Sequence, residues 1–344
     1  MSTRPEPDAA DPRAHALNRW LQHLDPSFAP AHALGADASF RRYFRTRRGD
    51  TPFVVMDAPP THEDTGPFLR IASVLHALGL RAPRILDADP DQGFILMEDL
   101  GDRTFTRALA AGVPEADLYP LAAETLAALQ SRWADREAAL APAAALPVYD
   151  TDRLLQEARL FVQWYWPKVH AADAAPETRA DFEQAWRSVL EAMPALPTTL
   201  VLRDFHVDNL MLLQDGEGVA ACGLLDFQDA VAGSPAYDLV SLLEDARRDV
   251  SAPIAERILD AVLAEGPWPA SEFLHHYRVL GAQRTVKIIG IFTRLERRDH
   301  KPGYQAHQPR LWRLLDRGLR HPDLAPVSDW FRRHFDPDGR PCGR

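Results

Sequence analysis

Two short segments of the chain carry oxygen-bearing side chains at a spacing that suits phosphoryl transfer. The first, VLRDFHVDNLM at 201–211, holds Asp204 and Asn209, and the second, LLDFQD at 224–229, holds Asp226. Phosphoryl transfer needs a carboxylate that orients the attacking hydroxyl and accepts its proton, together with oxygen ligands for Mg²⁺ beside the phosphates. We therefore predict Asp204 as the base and Asn209 and Asp226 as metal ligands. Taken singly, Asp and Asn are also common turn residues, so an ordinary turn is the alternative.

The elements that position these side chains change in character along the chain. The first hundred residues alternate short apolar runs with turn residues, which is typical of strands, and contain helical spacing in two places. The predicted elements are a helix at 14–24, a strand, turn and strand across 34–48, a strand at 52–60, a helix at 62–80, and strands at 84–88 and 93–98.

From residue 103 onward the chain is rich in alanine and leucine at helical spacing. Helices are predicted at 103–111, 117–140, 152–169, 177–193, 237–248, 253–265, 271–297 and 309–319, with short strands near 199–203 and 219–226. The Ala/Pro stretch at 138–147 is interpreted as a linker. The fold class is therefore α+β, with a small sheet-rich lobe at 1–97, a hinge at 98–102 and a larger helical lobe at 103–344. Clefts between two such lobes are common ligand sites.

Composition and charge narrow the class of protein. The 344 residues have a net charge of −10, which disfavours binding to a nucleic-acid backbone, although residues 271–344 alone carry +7 and suggest a local anion site. Cys222 and Cys342 are the only cysteines, which excludes a disulfide scaffold and a cysteine zinc cluster. No apolar run approaches the length of a membrane span, and the N-terminus does not read as a signal peptide. We expect a cytoplasmic protein without membrane or nucleic-acid partners.

The pattern RDFHVDN followed by LDFQD resembles the catalytic loop and the metal-binding segment of kinases. It is most similar to the aminoglycoside phosphotransferase-like small-molecule kinases, whose loop usually reads H-G-D-L-H-P-x-N, and Asp204, His206 and Asn209 match that pattern. The segments FILMEDLG at 94–101 and SPAYDL at 234–239 resemble further parts of the family. The resemblance implies a protein-kinase-like two-lobe fold with an antiparallel N-terminal sheet, and ATP and Mg²⁺ in the cleft.

Three other segments are similar to the branch of this family that phosphorylates N-acetylmuramate and N-acetylglucosamine at the anomeric hydroxyl. They are ASFRRYFR at 38–45, VVMDAPP at 54–60 and QRTVKIIGIFTRL at 283–295. The resemblance implies an ATP-dependent kinase that makes an amino-sugar 1-phosphate in peptidoglycan recycling. It also favours structural roles for two residues: His206 holds the loop through backbone hydrogen bonds, and Asp238 ties the start of a helix to the catalytic segment.

The same resemblance places nucleotide contacts in two regions. At the hinge strand, backbone groups of Met97 and Glu98 would bind adenine, and the Met97 side chain would add an adaptable apolar contact. A plain linker between the lobes is the alternative for this strand. The phosphate contacts implied in the glycine-containing turn are Gly35, Ser39, Arg41 and Arg42.

One pair that is usual in kinases is missing from this chain. Met56 and Asp57 stand where a phosphate-binding Lys or Arg is expected, and Arg70 and Ile71 stand where a helix normally supplies the paired Glu. Because both partners are absent together, we infer that the contact is made from the glycine-containing turn. The candidates are Arg41, Arg42 and Arg45.

The helix predicted at 271–297 carries Arg284, Lys287 and Arg294 on one narrow stripe of an otherwise apolar surface. We interpret Arg284 and Lys287 as substrate residues, because an Arg can bind the lactyl carboxylate of N-acetylmuramate with two hydrogen bonds. A solvated helix face is the alternative, and we favour it for Arg294. The aromatic run at 164–166 is interpreted as core packing, with stacking on a sugar ring as its alternative.

Two other functions are compatible with the sequence. A kinase for another small alcohol or amine, such as an aminoglycoside or choline, would share the catalytic loop and differ in the C-terminal pocket, where a cationic substrate favours acidic side chains. A nucleotide-binding module without catalysis would keep the fold and lack transfer, but the base and both metal ligands are intact here. We expect a monomer that acts on a small-molecule amino sugar.

Overall fold

The computed structural model describes residues 11–34, 40–340 and 342. Its strands are β1 (His32–Ala33), β2 (Arg42–Arg48), β3 (Thr51–Asp57), β4 (Ile85–Asp89), β5 (Phe94–Glu98), β6 (Thr199–Val201), β7 (Leu210–Leu212), β8 (Cys222–Leu224) and β9 (Val231–Gly233). Its α-helices are α1 (Pro12–Leu24), α2 (Gly66–Ala77), α3 (Phe105–Ala110), α4 (Glu115–Ala144), α5 (Thr151–Leu160), α6 (Trp166–His170), α7 (Pro176–Glu191), α8 (Ala236–Leu243), α9 (Ala252–Glu265), α10 (Ala270–Arg297), α11 (Gln308–Leu319) and α12 (Ala325–His334). A π-helical turn at Phe161–Tyr165 joins α5 to α6.

A five-stranded antiparallel sheet occupies the first hundred residues, in the strand order β1-β2-β3-β5-β4. Successive side chains of a strand point to opposite faces of a sheet. Accordingly, Phe53 and Val55 of β3 join a core with Leu17 of α1, and Met56 joins a second core with Phe68 of α2. Each face of the sheet is thus covered by one helix, and the predicted α+β class is confirmed.

Most of the predicted elements match the structure to within a few residues. The helices predicted at 14–24 and 62–80 correspond to α1 and α2, and the strands predicted at 52–60, 84–88 and 93–98 correspond to β3, β4 and β5. The turn predicted inside 34–48 falls largely on residues 35–39, which lie outside the described residues.

Helix α10 is the central element of the helical part. It packs on α5, α8, α11 and the π-helical turn, and residues 279–290 are buried without interruption. A helix that is buried on all sides is normally apolar all round, yet this one contains Arg284 and Lys287, which are 4% and 9% exposed. Their burial excludes a solvated helix face for these two residues. No helix in the described part of the chain is long and apolar enough to cross a membrane.

The predicted aromatic run at 164–166 lies mainly in the core of the helical part. Tyr165 and Trp166 are each 7% exposed and belong to a cluster with Phe161, Trp330 and Phe335. Their ring centroids lie between 5.2 and 6.1 Å from those of Phe161, Trp330 or Phe335, in stacked, tilted and edge arrangements. Core packing, rather than stacking on a sugar, is confirmed for Tyr165 and Trp166.

The structure differs from the sequence prediction in four places. Residues 138–144, interpreted as part of a linker, form the last turns of α4, with Pro142 inside the helix. Proline normally interrupts a helix, but the surrounding alanines have the highest helix propensity of all residues. The strands β7 and β9 were not predicted, because three-residue strands carry almost no alternation to recognise. The helix α12 was not predicted either.

Gly290 allows the closest approach between α10 and the end of α5. A Cβ atom at this position would lie 2.4 Å from the carbonyl carbon of Leu160, which is backbone and has no freedom to rotate away. We expect Gly290→Ala to lower the free energy of unfolding by about 2 kcal/mol, measured by urea denaturation.

Gly318 in α11 provides the matched control. A Cβ atom there would meet the Cβ of Ala282 at 3.7 Å, an ordinary van der Waals distance. Gly318→Ala should therefore leave stability unchanged or raise it by about 0.5–1 kcal/mol through helix propensity. Equal stabilities of the two variants would show that the α10–α5 approach is not tight.

Candidate active site

The predicted base and metal ligands lie on two connected segments at the end of a small antiparallel pair. Strands β7 and β8 pair through Leu210 and Leu224, and the amide of Leu225 donates to the carbonyl of Asn209 at 3.0 Å. This pairing places Asn209 beside Asp226. The Asn209 Nδ2 donates to the backbone carbonyl of Asp204 at 3.0 Å and lies 3.5 Å from Asp226 Oδ2. The structure therefore brings all three residues together.

Two residues of the site adopt a left-handed backbone conformation. Arg203, which precedes the predicted base, has φ +71°, and Asp226 has φ +57°. This region is uncommon for residues other than glycine, and such residues persist where the surrounding structure holds them. Both positions therefore mark sharp changes of chain direction directly at the candidate chemistry.

Asp238 stabilises the first of these two turns, the one at Arg203. Its carboxylate accepts the backbone N–H groups of Leu202 at 2.7 Å and Arg203 at 2.8 Å, and the hydroxyl of Ser241 donates to the carbonyl of Arg203 at 3.0 Å. The predicted structural role of Asp238 at the start of α8 is confirmed. Burial raises the pKa of this carboxyl to about 7, and the charge of Asp204 acts in the same direction.

His206 is buried but does not hold the loop in the way predicted. Its Nε2 lies 3.4 Å from a guanidinium nitrogen of Arg247, and its Nδ1 has no hydrogen-bond partner among the described residues. Backbone hydrogen bonding by this ring is therefore not observed. Burial, followed by the charge of Arg247, lowers the pKa of His206, which favours a neutral imidazole.

Positive charges surround Asp204. Burial acts to raise the pKa of this carboxyl, and the charge of Lys287, with further contributions from Arg284 and Arg203, outweighs it, so that the pKa lies below its usual value. A lowered pKa keeps the carboxylate ionised at neutral pH. Asp204 can therefore accept a hydrogen bond from a substrate hydroxyl and orient it.

A buried charge cluster, formed by Glu157, Arg203, Lys287, Tyr149 and Tyr237, lies beneath the catalytic segment. Glu157 of α5 pairs with Lys287 at 3.1 Å, and its carboxylate also accepts from Arg203 and from the Tyr149 hydroxyl. Lys287 lies 3.3 Å from the Tyr237 hydroxyl. The cluster joins α5, α8 and α10 to the residue that precedes Asp204.

The arginines predicted to contact phosphate have different partners in the structure. Arg41 pairs with Asp226 at 3.1 Å, which places its guanidinium at the candidate metal ligand. Arg42 lies opposite Asp57 in the β2–β3 register and binds its carboxylate at 3.1 Å. Arg45 pairs with Asp99 at 2.6 Å. Gly35 and Ser39 lie outside the described residues.

Asp57 occupies the position where kinases usually carry the phosphate-binding lysine, and it has a different role here. Its side chain is inaccessible to solvent, and it binds Arg13 of α1 at 2.8 Å as well as Arg42. Asp11, the N-cap of α1, completes this group by pairing with Arg42. The position that carries a phosphate-binding cation in kinases thus fastens α1 to the sheet in this chain.

The predicted adenine-binding strand is β5. Met97 is 3% exposed and packs in the core shared with α2. The Glu98 carboxylate is bound by both guanidinium nitrogens of Arg81, at 2.9 and 3.0 Å. The Glu98 side chain is therefore occupied by Arg81. This agrees with the prediction that adenine would be bound by backbone groups of this strand.

The donor set at Asn209 and Asp226 suits Mg²⁺ rather than a metal held by protein alone. Because Asn209 directs its Nδ2 toward Asp204 and Asp226, its Oδ1 is left for a cation. Among the described residues, no group of three or more His, Cys, Asp or Glu is arranged to hold a metal. Mg²⁺ is usually bound through one or two protein oxygens together with substrate phosphates, and this pair provides that number.

Arg284 stands apart from the other buried cations near the site. It makes no hydrogen bond or ion pair with any other described residue, whereas Lys287 is paired with Glu157. The charge of Arg284 nevertheless acts on Asp204, Asp238 and Glu244. A ligand carboxylate could therefore accept hydrogen bonds from this guanidinium.

Sequence reasoning missed Glu157, Tyr149 and Arg247. Each of them is one charged or aromatic side chain on a helix or loop with no local motif around it. Glu157 lies 46 residues before Arg203, so no spacing rule connects the two. The only signal in the sequence was the pair of basic residues, Arg284 and Lys287, on an otherwise apolar helix, since buried cations are usually paired with an acidic side chain.

The antiparallel sheet, the helical part and this constellation define a kinase-like phosphotransferase. The fold is similar to the GDP complex of wild-type aminoglycoside 2'-phosphotransferase-IIIa, with a TM-score of 0.60 and 16% identity over 92% of this chain and 100% of that one. It is also similar to a choline/ethanolamine kinase family protein from Mesorhizobium loti, with a TM-score of 0.60 and 15% identity over 93% of this chain and 98% of that one. At these identities the likeness shows the fold, and the predicted two-lobe kinase-like fold is confirmed.

The chain belongs to the phosphotransferase enzyme family (APH), which matches residues 30–274. It is 36% identical to the N-acetylmuramate/N-acetylglucosamine kinase of Caulobacter vibrioides, over 90% of this chain and 93% of that protein. It is 35% identical to the protein of the same name from Pseudomonas aeruginosa, over 93% of this chain and 96% of that protein. The resemblance predicted from the motifs is confirmed.

The buried charge cluster gives a direct test of what holds the catalytic segment. Glu157→Gln removes the carboxylate that faces Lys287 and Arg203, and leaves two buried cations without it. We expect a loss of about 3 kcal/mol in the free energy of unfolding, because breaking a buried pair leaves uncompensated charge. The control is Glu183→Gln, whose partner Arg159 lies at 2.8 Å on the surface. It should cost less than about 1 kcal/mol.

The stability difference between Glu157→Gln and the unsubstituted protein should also depend on pH. Burial acts to raise the pKa of Glu157, and Lys287 and Arg203 together lower it below its usual value. A lowered pKa stabilises the folded state above the ordinary glutamate pKa, and that contribution is lost as pH falls through the folded value. The stability gap between Glu157→Gln and the unsubstituted protein should therefore shrink below about pH 4. A gap that stays constant with pH would contradict the assignment.

Proposed function

We propose that this protein is an ATP-dependent kinase that phosphorylates the anomeric hydroxyl of N-acetylmuramate and N-acetylglucosamine. The family membership and the names of the two relatives support a sugar kinase. The observation that carries the proposal is that Asn209 connects the predicted base and the predicted metal ligand. Its Nδ2 donates to the backbone carbonyl of Asp204 at 3.0 Å and lies 3.5 Å from Asp226 Oδ2. The GDP-bound structure of a relative in fold supports nucleotide binding.

The chemistry follows from the protonation states of these residues. Asp204 is an ionised carboxylate at neutral pH, so it orients the anomeric hydroxyl and accepts its proton as the oxygen attacks the γ-phosphorus. The new oxygen–phosphorus bond forms as the bond to the β-phosphate oxygen breaks, and ADP leaves. Asn209 and Asp226 would hold Mg²⁺, which would supply positive charge beside the phosphates. The anomeric hydroxyl is the most acidic one of a sugar, so a carboxylate base of modest strength suffices.

Arg41 is our candidate for the phosphate contact that replaces the missing lysine. Its guanidinium already lies 3.1 Å from Asp226, where the triphosphate and its metal would meet. Arg42 is less suited, because Asp11 and Asp57 occupy its guanidinium. Arg45 is held by Asp99 and Asp102. Gly35, Ser39 and the backbone of Met97 and Glu98 stay predictions for the remaining nucleotide contacts.

Arg284 is our candidate for the acidic group of the substrate. It is 4% exposed, has no hydrogen-bond or ion-pair partner among the described residues, and acts electrostatically on Asp204. N-acetylmuramate differs from N-acetylglucosamine by a lactyl carboxylate. A carboxylate accepts two parallel hydrogen bonds from a guanidinium. Lys287 is committed to Glu157 and Tyr237, so its role is to support the ionised form of Asp204. The hinge at 98–102, the monomeric state and the cytoplasmic location remain predictions.

The base and the metal ligand are distinguished by a pair of substitutions. Asp204→Asn should lower kcat by about 10²–10⁴-fold, since it removes the base, and leave Mg²⁺-dependent nucleotide affinity unchanged. Asp226→Asn should instead weaken that affinity, measured by titration calorimetry. Full turnover in Asp204→Asn would refute the base, and unchanged nucleotide affinity in Asp226→Asn would refute the metal ligand. ADP release should be measured with N-acetylmuramate, N-acetylglucosamine, choline and kanamycin, and the product identified by ³¹P NMR.

The two amino sugars provide a matched test of Arg284. Arg284→Gln should raise KM for N-acetylmuramate by about 10–100-fold, the value of a hydrogen bond between charged groups, and change KM for N-acetylglucosamine little. The control is Arg294→Gln on the same helix, which should affect neither sugar. An equal loss with both sugars would show that Arg284 does not recognise the carboxylate.

A further inference from the structure

A cavity lies between α2 and the segment that follows Asp226. It has a volume of about 230 Å³. It is lined by residues of α2, the end of α4 and α5, by Arg203, and by residues 228–231. The polar side chains at its wall are Arg70, Arg153, Arg203, Gln228 and Asp229. Pockets for drug-sized ligands are larger, at about 300–1,000 Å³, so this cavity is suited to a small ion or group.

The charge of the cavity wall is unbalanced. Arg70 and Arg153 make no side-chain hydrogen bond or ion pair within the described part of the chain. Arg203 pairs with Glu157 and donates to the carbonyl of Asp229 at 3.4 Å, but its Nε is buried and lacks an acceptor among the described residues. Among the described residues, Asp229 is the only carboxylate in the lining. Three arginines, of which Arg70 is exposed and Arg153 and Arg203 are partly buried, thus line a space with one acidic side chain.

The cavity touches the two segments that carry the candidate chemistry. Arg203 immediately precedes Asp204, and Gln228 donates to Asp226 Oδ1 at 2.9 Å. Arg70 comes from α2, the helix that packs under the sheet and whose Phe68 stacks on Phe227 at 4.8 Å. A ligand in the cavity would therefore contact α2 and both active-site segments at once.

We propose that this cavity binds a tetrahedral oxyanion, either inorganic phosphate or the phosphoryl group of a sugar phosphate. Guanidinium groups recognise such oxygens through parallel hydrogen bonds, and an anion between these three arginines would reduce the repulsion among their charges. The site is separate from the one proposed for the triphosphate, whose phosphate contact is Arg41. Binding there does not depend on the proposed sugar-kinase activity.

The test is a calorimetric titration of inorganic phosphate into the full-length protein without nucleotide or sugar, at constant ionic strength. Arg70→Ala and Arg153→Ala should each raise Kd by about tenfold or more, and Arg70→Lys, which keeps the charge and loses the planar fork, should give a smaller increase. The control is Arg257→Ala, an exposed arginine of α9, which should leave Kd unchanged. Circular dichroism melting confirms that each variant is folded.

A parallel titration with N-acetylglucosamine 1-phosphate separates the two sources of the anion. Tighter binding of the sugar phosphate than of inorganic phosphate, with the same dependence on Arg70, would assign the site to a sugar phosphate; equal or tighter binding of inorganic phosphate would assign it to the free ion. Binding that is the same in all variants, or no binding of either ligand to the unsubstituted protein, overturns the proposal. Because phosphate also enters active sites, only the component that depends on Arg70 and Arg153 counts. The outcome is independent of whether ADP release is observed with any sugar.

Discussion

The catalytic segment depends on the buried carboxylate of Asp238, which accepts the backbone N–H groups of Leu202 and Arg203. These bonds hold Arg203 in a left-handed conformation that arginine rarely adopts. The chain therefore turns sharply where β6 ends, and the turn delivers Asp204 toward Asn209. At the other end of the segment, the β7–β8 pair fixes Asn209 beside Asp226. The candidate active site is thus a short loop restrained at both ends.

Charge balance in the interior is the second constraint on this loop. Asp204 stays ionised because cations surround it, and those cations must be compensated in turn. The carboxylate of Glu157 balances the charges of Arg203 and Lys287 by forming an ion pair with each of them. Among the described residues, Arg284 makes no ion pair with a carboxylate, although it lies on the same helix as Lys287. This asymmetry separates a cation that supports the loop from one that is available to a ligand.

The N-terminal sheet shows how a family can keep its fold while one of its usual ion pairs is absent. Asp57 occupies the place of a phosphate-binding cation and binds Arg13 and Arg42 instead. The buried carboxylate therefore serves to attach α1 to the end of β3, the central strand of the sheet. Our candidate for the positive charge beside the phosphates is Arg41, which directly precedes β2 and pairs with Asp226.

Most of the helices, the longer strands and the candidate chemistry of Asp204, Asn209 and Asp226 could be predicted from the sequence alone. Helical spacing, strand alternation and the five-residue interval from Asp204 to Asn209 all act over a few neighbouring residues, so they can be recognised without a structure. The linker interpretation of 138–147 was wrong at 138–144 because two local tendencies, alanine propensity and proline interruption, opposed each other there.

Tertiary packing sets which charged side chains are buried and what they contact. Arg284, Lys287 and Arg294 share one stripe of α10, yet only packing against α5 and α8 buries the first two. Glu157 carries no local signal, because its partners Arg203 and Lys287 come from distant parts of the chain. Burial and pairing of charge depend on which surfaces meet, and neither residue type nor spacing along the chain contains that information.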